Sequence, residues 1–317
     1  MNFNRAKFDN FYQFAQYFSS DQKCRIYLEL LRWKGKPVCP HCGSDEHYKF
    51  KDRKTYKCKA CTRKYNATIG TILENTKIPL NKWFWAIYIA TSHKKGISSC
   101  QLARDIDVTQ KTSWFILHRI REMLKSNAPE MLEGTVEVDE TYVGGKEKNK
   151  HQSVRGRARR DNMIIQGRST ETKTVVLGLA QRDGNVVCRV IPAAQKKHIY
   201  PVIEKHVKQG SIMVTDSYKA YIHLPKIGYK HESVDHHIRE YVRDEFHTNT
   251  VEGFWSHLKR GIIGIYHFVS PQHLDSYCSE YSFRYNTRNL GETDRFNDAV
   301  SRVEGKRLRY TDLIKKN

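Results

Sequence analysis

The sequence has no apolar run near the roughly 20 residues that a membrane span needs. Its opening, Met1-Asn-Phe-Asn-Arg, carries no apolar leader pattern. A reducing cytoplasm is therefore the expected compartment, and disulfides are not expected. Internal repeats and low-complexity tracts are also missing, which argues against a solenoid or a disordered linker protein. Acidic residues are scarce relative to basic ones: 34 Asp and Glu face 55 Lys and Arg, a net charge of +21 over 317 residues. A surplus of this size favours a polyanionic partner, with a merely soluble basic surface as the alternative. The length allows a sizeable core and more than one domain.

Four of the eight cysteines form two close pairs, Cys39-Pro-His-Cys42 and Cys58-Lys-Ala-Cys61, with fifteen residues between them. Two Cys-x-x-Cys knuckles can complete a tetrahedral structural Zn²⁺ site; a redox pair or two disulfides are the alternatives. Cys24, Cys100, Cys188 and Cys278 stand alone among apolar neighbours and read as small buried hydrophobes. Between the knuckles Tyr48, Phe50 and Tyr56 alternate with Lys49, Lys51 and Lys57, the pattern of a short ribbon with a basic face. That face suits either DNA phosphates or packing on a neighbouring domain.

Residues 81–94 read as a mostly buried helix ended by Gly96. Ser98 or Ser99 caps a short helix over 100–106, and Thr109 caps a longer one to about Lys125. The trio fits a helix-turn-helix whose first-turn residues Gln110, Lys111, Thr112 and Ser113 would reach base edges. A plain three-helix packing unit has the same pattern.

From about residue 134 the texture becomes α/β. Strands are expected at 135–143, 174–181 and 185–191, with a hairpin turn at Arg182-Asp183-Gly184-Asn185 between the last two. A helix at about 197–208, a strand at 211–216, a short helix near Ser217, a strand near 231–235 and a helix at about 248–260 follow. Alternation along the first strand puts Glu137 and Asp139 on one face and Glu140 on the other. Asp216 closes the apolar run Ile212-Met213-Val214, at the carboxyl end of a strand, where open α/β sheets place their sites. Thirty-five residues separate Asp216 from Glu252, which lies on an amphipathic helix that shares one broad face among Asn249, Glu252, Ser256 and Lys259. Carboxylates of this kind suit a pair of Mg²⁺ or Mn²⁺ ions at a phosphodiester, because hard cations take oxygen ligands. Asp139, Asp216 and Glu252 are the candidate ligands; Asp244 and Glu245 are weaker ones, and His236-His237 reads as a surface turn.

Lys146 to Arg160 holds seven Lys or Arg and one Glu just after the first acidic strand. Lys146, Lys148, Arg157, Arg159 and Arg160 are candidate phosphate contacts in a DNA clamp, with a solvated loop as the alternative.

The segments Val-Asp139-Glu-Thr, Val-Thr-Asp216-Ser-Tyr and Asn249-Thr-Val-Glu252-Gly-Phe-Trp-Ser-His-Leu-Lys259 resemble a bacterial insertion-sequence transposase of the DDE type. The order of zinc ribbon, helix-turn-helix and catalytic domain is similar to the ISXO-like subgroup, over about residues 20–290. Tyr-Ser-Phe-Arg284-Tyr-Asn286-Thr-Arg288 also resembles it. The resemblance implies metal-dependent cutting of transposon ends and joining of the freed 3′-hydroxyl to target DNA. It also implies a basic residue seven positions after the Glu, which Lys259 matches. In parts of this group the third acidic position is Asn or His, so Asn249 and Glu252 both remain candidates.

The expected architecture is a multidomain α/β chain: a helical segment at 1–34, a zinc ribbon at 35–70, a helix-turn-helix at 78–128, a ribonuclease-H-like catalytic domain at 134–290 and a basic tail at 291–317. The expected partners are double-stranded DNA, as terminal inverted repeats and as target, and further copies of the chain on that DNA, at the bacterial nucleoid. Two rivals stand beside the transposase: a nuclease of the same fold that cuts without joining, and a catalytically silent DNA-binding regulator.

Overall fold

The computed structural model describes residues 6–125, 131–145, 173–234 and 246–315. The chain divides into two compact units, Met1–Leu124 with Asn289–Asn317, and Lys125–Arg288. No described helix is long and apolar enough to cross a membrane.

The first unit opens with α1 (Phe11–Tyr17) and α2 (Asp21–Trp33), whose first turns are capped by Asn10 and Ser20. Three short strands follow, β1 (His47–Lys49), β2 (Tyr56–Cys58) and β3 (Lys64–Tyr65), in one antiparallel sheet. Next come α3 (Leu80–Ser92), α4 (Ser99–Asp105) and α5 (Gln110–Leu124). Of the two candidate caps of α4, Ser98 accepts the Gln101 N–H. Thr109 caps α5, its hydroxyl accepting from the Thr112 N–H at 3.3 Å. Apolar residues surround most of α3, so it is buried among the other helices.

The second unit is a five-stranded mixed sheet, order β6-β5-β4-β7-β8. Its strands are β4 (Thr135–Val143), β5 (Thr174–Gln181), β6 (Val186–Ile191), β7 (Ile212–Asp216) and β8 (Lys230–Val234). The first three are antiparallel neighbours, while β7 is parallel to both β4 and β8. Asp183, at φ 55°, turns the β5–β6 hairpin. One face of the sheet packs Val136, Val138, Leu177 and Met213 against α6 (Lys196–His206). The other packs Val176, Ala180 and Cys188 against α7 (Asn249–Gly261) and α8 (Pro271–Asn286). In place of a helix after Ser217 the chain makes two 3-10 turns, Lys219–Tyr221 and Leu224–Ile227.

Residues 291–317 differ from the expected tail. The described part, to residue 315, contains α9 (Glu292–Ser301) and α10 (Tyr310–Ile314), and the segment belongs to the first unit. The reason is the pair Phe296 and Val300, one helical turn apart and both buried. Phe296 lies 5.0 Å from the Phe14 ring and 5.5 Å from Phe84, inside an aromatic cluster that no local pattern announces. Tyr310 sits under the Lys111 ammonium at 5.0 Å and against Phe115 at 5.6 Å.

Candidate functional site

The four paired cysteines come together. Cys39 and Cys61 Sγ are 3.6 Å apart, Cys42 and Cys58 Sγ 3.5 Å, and all four sulfurs lie within 4.8 Å of one another. With Zn–S bonds of about 2.3 Å, tetrahedral thiolates sit about 3.8 Å apart, so the donor set fits zinc. The Cys61 backbone N–H, donated to Cys58 Sγ, holds the Cys58 thiol down at about 6, toward the thiolate a metal requires.

In the second unit Asp139, Asp216, Glu252 and Lys259 line one cleft of about 440 Å³ together with Glu140, Thr141, Thr248, Trp255 and Ser256. Among the described residues the four cysteines are the one group of three or more His, Cys, Asp or Glu donors close enough to share a single ion; Asp139, Asp216 and Glu252 do not form such a group. Asp139 projects from the middle of β4, Asp216 ends the parallel neighbour β7, and Glu252 rides the first turn of α7. Burial pushes the Asp139 carboxyl up to about 6. The Trp255 hydrogen bond opposes that rise, whereas the charges of Asp216 and Glu252 add to it, so the three acids feel one another. Asp216 accepts the Tyr218 N–H at 3.1 Å, and Glu252 accepts the Thr248 hydroxyl at 3.1 Å. Asn249, the alternative third residue, is exposed at the start of α7 and is not among the residues lining the cleft.

Three groups that sequence reasoning gave no role hold this geometry. Glu137, fully buried, accepts the Thr250 and Val251 N–H groups at 2.7 and 3.0 Å and the Thr250 hydroxyl at 2.8 Å. It thereby caps the positive end of α7, with the Arg182 guanidinium at 3.5 Å and the His247 ring at 3.3 Å as neighbours. Trp255 is buried and donates its indole N–H to Asp139 Oδ2 at 2.9 Å. Gly178, paired in register with Asp139, makes room for that indole. A glycine inside an apolar strand was the available signal. On the far side of β4, Glu140 accepts the buried Tyr221 hydroxyl, whose proton is held by burial and then by the Glu140, Asp139 and Asp216 charges.

Of the four first-turn residues of α5, Gln110 and Lys111 are exposed and Thr112 is half-buried, but Ser113 is fully buried and faces the packed interior. The candidate clamp residues Lys146, Lys148, Arg157, Arg159 and Arg160 lie outside the described residues, as do Asp244, Glu245 and His236-His237.

Fold and site define a two-part chain: a zinc ribbon with helices, and a mixed α/β domain with an acidic cleft. Residues 131–286 match the family described as the ISXO2-like transposase domain. Residues 19–64 match the transposase zinc-ribbon domain. An uncharacterized protein in transposable element ISH50 of Halobacterium salinarum is 31% identical over 275 residues, covering 84% of this chain and 91% of the relative. An uncharacterized transposase-like protein of Haemophilus influenzae is 26% identical over 101 residues, 32% of this chain and 80% of that protein. The chain belongs to the ISXO2-like transposase family.

Proposed function

We propose that the chain is an active transposase that binds the terminal repeats of an insertion sequence, cuts there, and joins the freed 3′-hydroxyl ends to target DNA. The observation that carries this reading is the convergence of Asp139, Asp216, Glu252 and Lys259 on one cleft. The sheet order, with its antiparallel half and parallel half meeting at β4, supports a ribonuclease-H-like catalytic domain.

Asp139, Asp216 and Glu252 would hold two Mg²⁺ or Mn²⁺ ions, a donor set of hard oxygens suited to hard cations. Such ions, when bound, activate the attacking oxygen and stabilise the leaving one. The chain's own contribution is placement. Trp255 fixes Oδ2 of Asp139, and the Tyr218 N–H orients Asp216. Lys259, two helical turns beyond Glu252, would grip a phosphate beside the scissile bond.

In this reading α3, α4 and α5 act as a helix-turn-helix, with Gln110, Lys111 and Thr112 at the DNA. Two ends must be joined, so a dimer or larger assembly on DNA is part of the proposal. So is action in the cytoplasm at the nucleoid. The test uses the DNA flanking the protein's own gene, with Mg²⁺, and Asp139→Asn and Asp216→Asn variants. Both should bind that DNA and neither should cut it; undiminished cutting by both would falsify the site. Pre-cut ends that yield no joined product would favour a nuclease instead.

A further inference from the structure

The ribbon sheet has two unlike faces. Tyr56 and Tyr65 are buried on one, stacked at 5.3 Å and met edge-on by Trp33 of α2. The other face is set by register: Tyr48 pairs with Lys57, and Lys57 with Lys64, so one row crosses all three strands. Tyr48 is 62% exposed and Phe50 38%. Lys59 Nζ stands 5.3 Å from the Tyr48 ring centre and Lys64 Nζ 5.2 Å from that of Phe50. Residues 47–65 hold eight Lys or Arg against one acid, Asp52. That carboxylate is engaged within its own turn, accepting the Lys54 and Thr55 N–H groups and the Thr55 hydroxyl.

From this we infer that the outward face of the ribbon binds unpaired DNA, with Tyr48 and Phe50 stacking on bases and Lys57, Lys59 and Lys64 meeting phosphates. Lysines alone would serve duplex phosphates, and exposed aromatic rings add nothing there. An unstacked base offers a π-face that such rings take up at low entropic cost. Each ring carries an ammonium about 5 Å away, so one ring-lysine pair can hold a base and its own phosphate. The ribbon would thus bind strands opened at a DNA end, beside helices that bind the closed duplex. This deepens the DNA-binding part of the proposed function and rests on it.

The test is fluorescence anisotropy of the full-length, zinc-loaded protein at fixed salt. The probes are a ~20-nucleotide oligothymidylate, longer than a typical single-strand site, and a duplex of the same length. Tyr48→Ala with Phe50→Ala should weaken oligothymidylate binding by about ten-fold or more per ring, with duplex affinity within about two-fold. Tyr48→Phe should keep the affinity, and Lys57→Gln should weaken both probes and flatten the salt dependence. Equal loss on both probes, or no loss on either, overturns the inference while leaving duplex binding in place. Failure of the wild-type chain to bind any DNA would instead overturn the proposed function. Zinc content and circular dichroism of the variants guard against misfolding, to which these exposed side chains contribute little.

Discussion

Gly178→Ala tests how the acidic cleft is held. A Cβ built at position 178 would lie 2.5 Å from Trp255 Cζ2 and 2.7 Å from Cη2. Carbon atoms in ordinary contact sit about 3.5–4.0 Å apart, so the indole must withdraw by about 1 Å. Trp255 is packed among buried residues on the α7 side of the sheet and cannot withdraw without cost. Overpacking of this kind costs about 1–3 kcal/mol. The same movement breaks the 2.9 Å bond from Trp255 Nε1 to Asp139. A carboxylate misplaced by about 1 Å in a positioned site lowers turnover by about 100-fold. The assays are thermal unfolding and Mg²⁺-dependent cutting of end DNA, with Trp255→Phe as the companion variant. Phe keeps most of the packing and loses the donor, so it should reduce cutting with a smaller stability loss. Gly178→Ala with wild-type melting and wild-type cutting would refute the steric argument. Full cutting by Trp255→Phe would refute the positional role of the hydrogen bond.

Three further outcomes follow from the same geometry. Glu137→Ala leaves the α7 N-terminus uncapped and Arg182 and His247 without their buried carboxylate, so stability should fall by about 3–5 kcal/mol, measured by urea unfolding of the purified chain. Cys58→Ser should lower bound zinc and open residues 35–65 to protease, because so small a module depends on its metal; unchanged zinc content and resistance would count against the site. Burial, aided by Arg189 and Lys205, holds His206 down at about 4, so the folded state favours the neutral ring. Its contribution is intact above pH about 6.5 and is lost as pH falls from there toward 4, by at most about 3 kcal/mol. His206→Leu should flatten stability over that window, and an unchanged pH slope would show that other groups dominate.

Much of the second unit was readable because its local signals agree with one another. The apolar run before Asp216 and the alternation around Asp139 describe β7 and β4 directly. The hairpin at 182–185 has turn residues in turn positions. Packing decides what those patterns leave open. Asn249 and Glu252 share a broad helical face at about 100° per residue, so spacing alone does not choose between them. The choice depends on how α7 is rotated, and that rotation is set by Glu137 and Trp255, whose partners are more than a hundred residues away in the chain. The return of α9 to the N-terminal helices was hidden for a similar reason. Its buried residues are few, and their partners Phe14, Phe18 and Phe84 lie some two hundred residues or more upstream.

The two anchors of α7 have a further consequence. Glu137 and Asp139 are two residues apart on β4, about 7 Å along a strand. Their partners, the N–H groups of Thr250 and Val251 and the indole of Trp255, are four to five residues apart on α7. That is about 6–7.5 Å along a helix. The two spacings match, so one strand face holds the helix at two points without stretching either element. A helix held at one point can slide or pivot; held at two, it keeps both its axial position and its rotation. Glu252 lies between those points and Lys259 one turn beyond the second, so both are set relative to Asp139 by the same two contacts. Asp216 is set independently, through the parallel register that pairs Val136 with Met213 and Glu137 with Val214. The cleft therefore depends on β4 twice, once through its ladder to β7 and once through its acidic face to α7. This is why a buried carboxylate that lines no part of the cleft should matter to it as much as the residues that do.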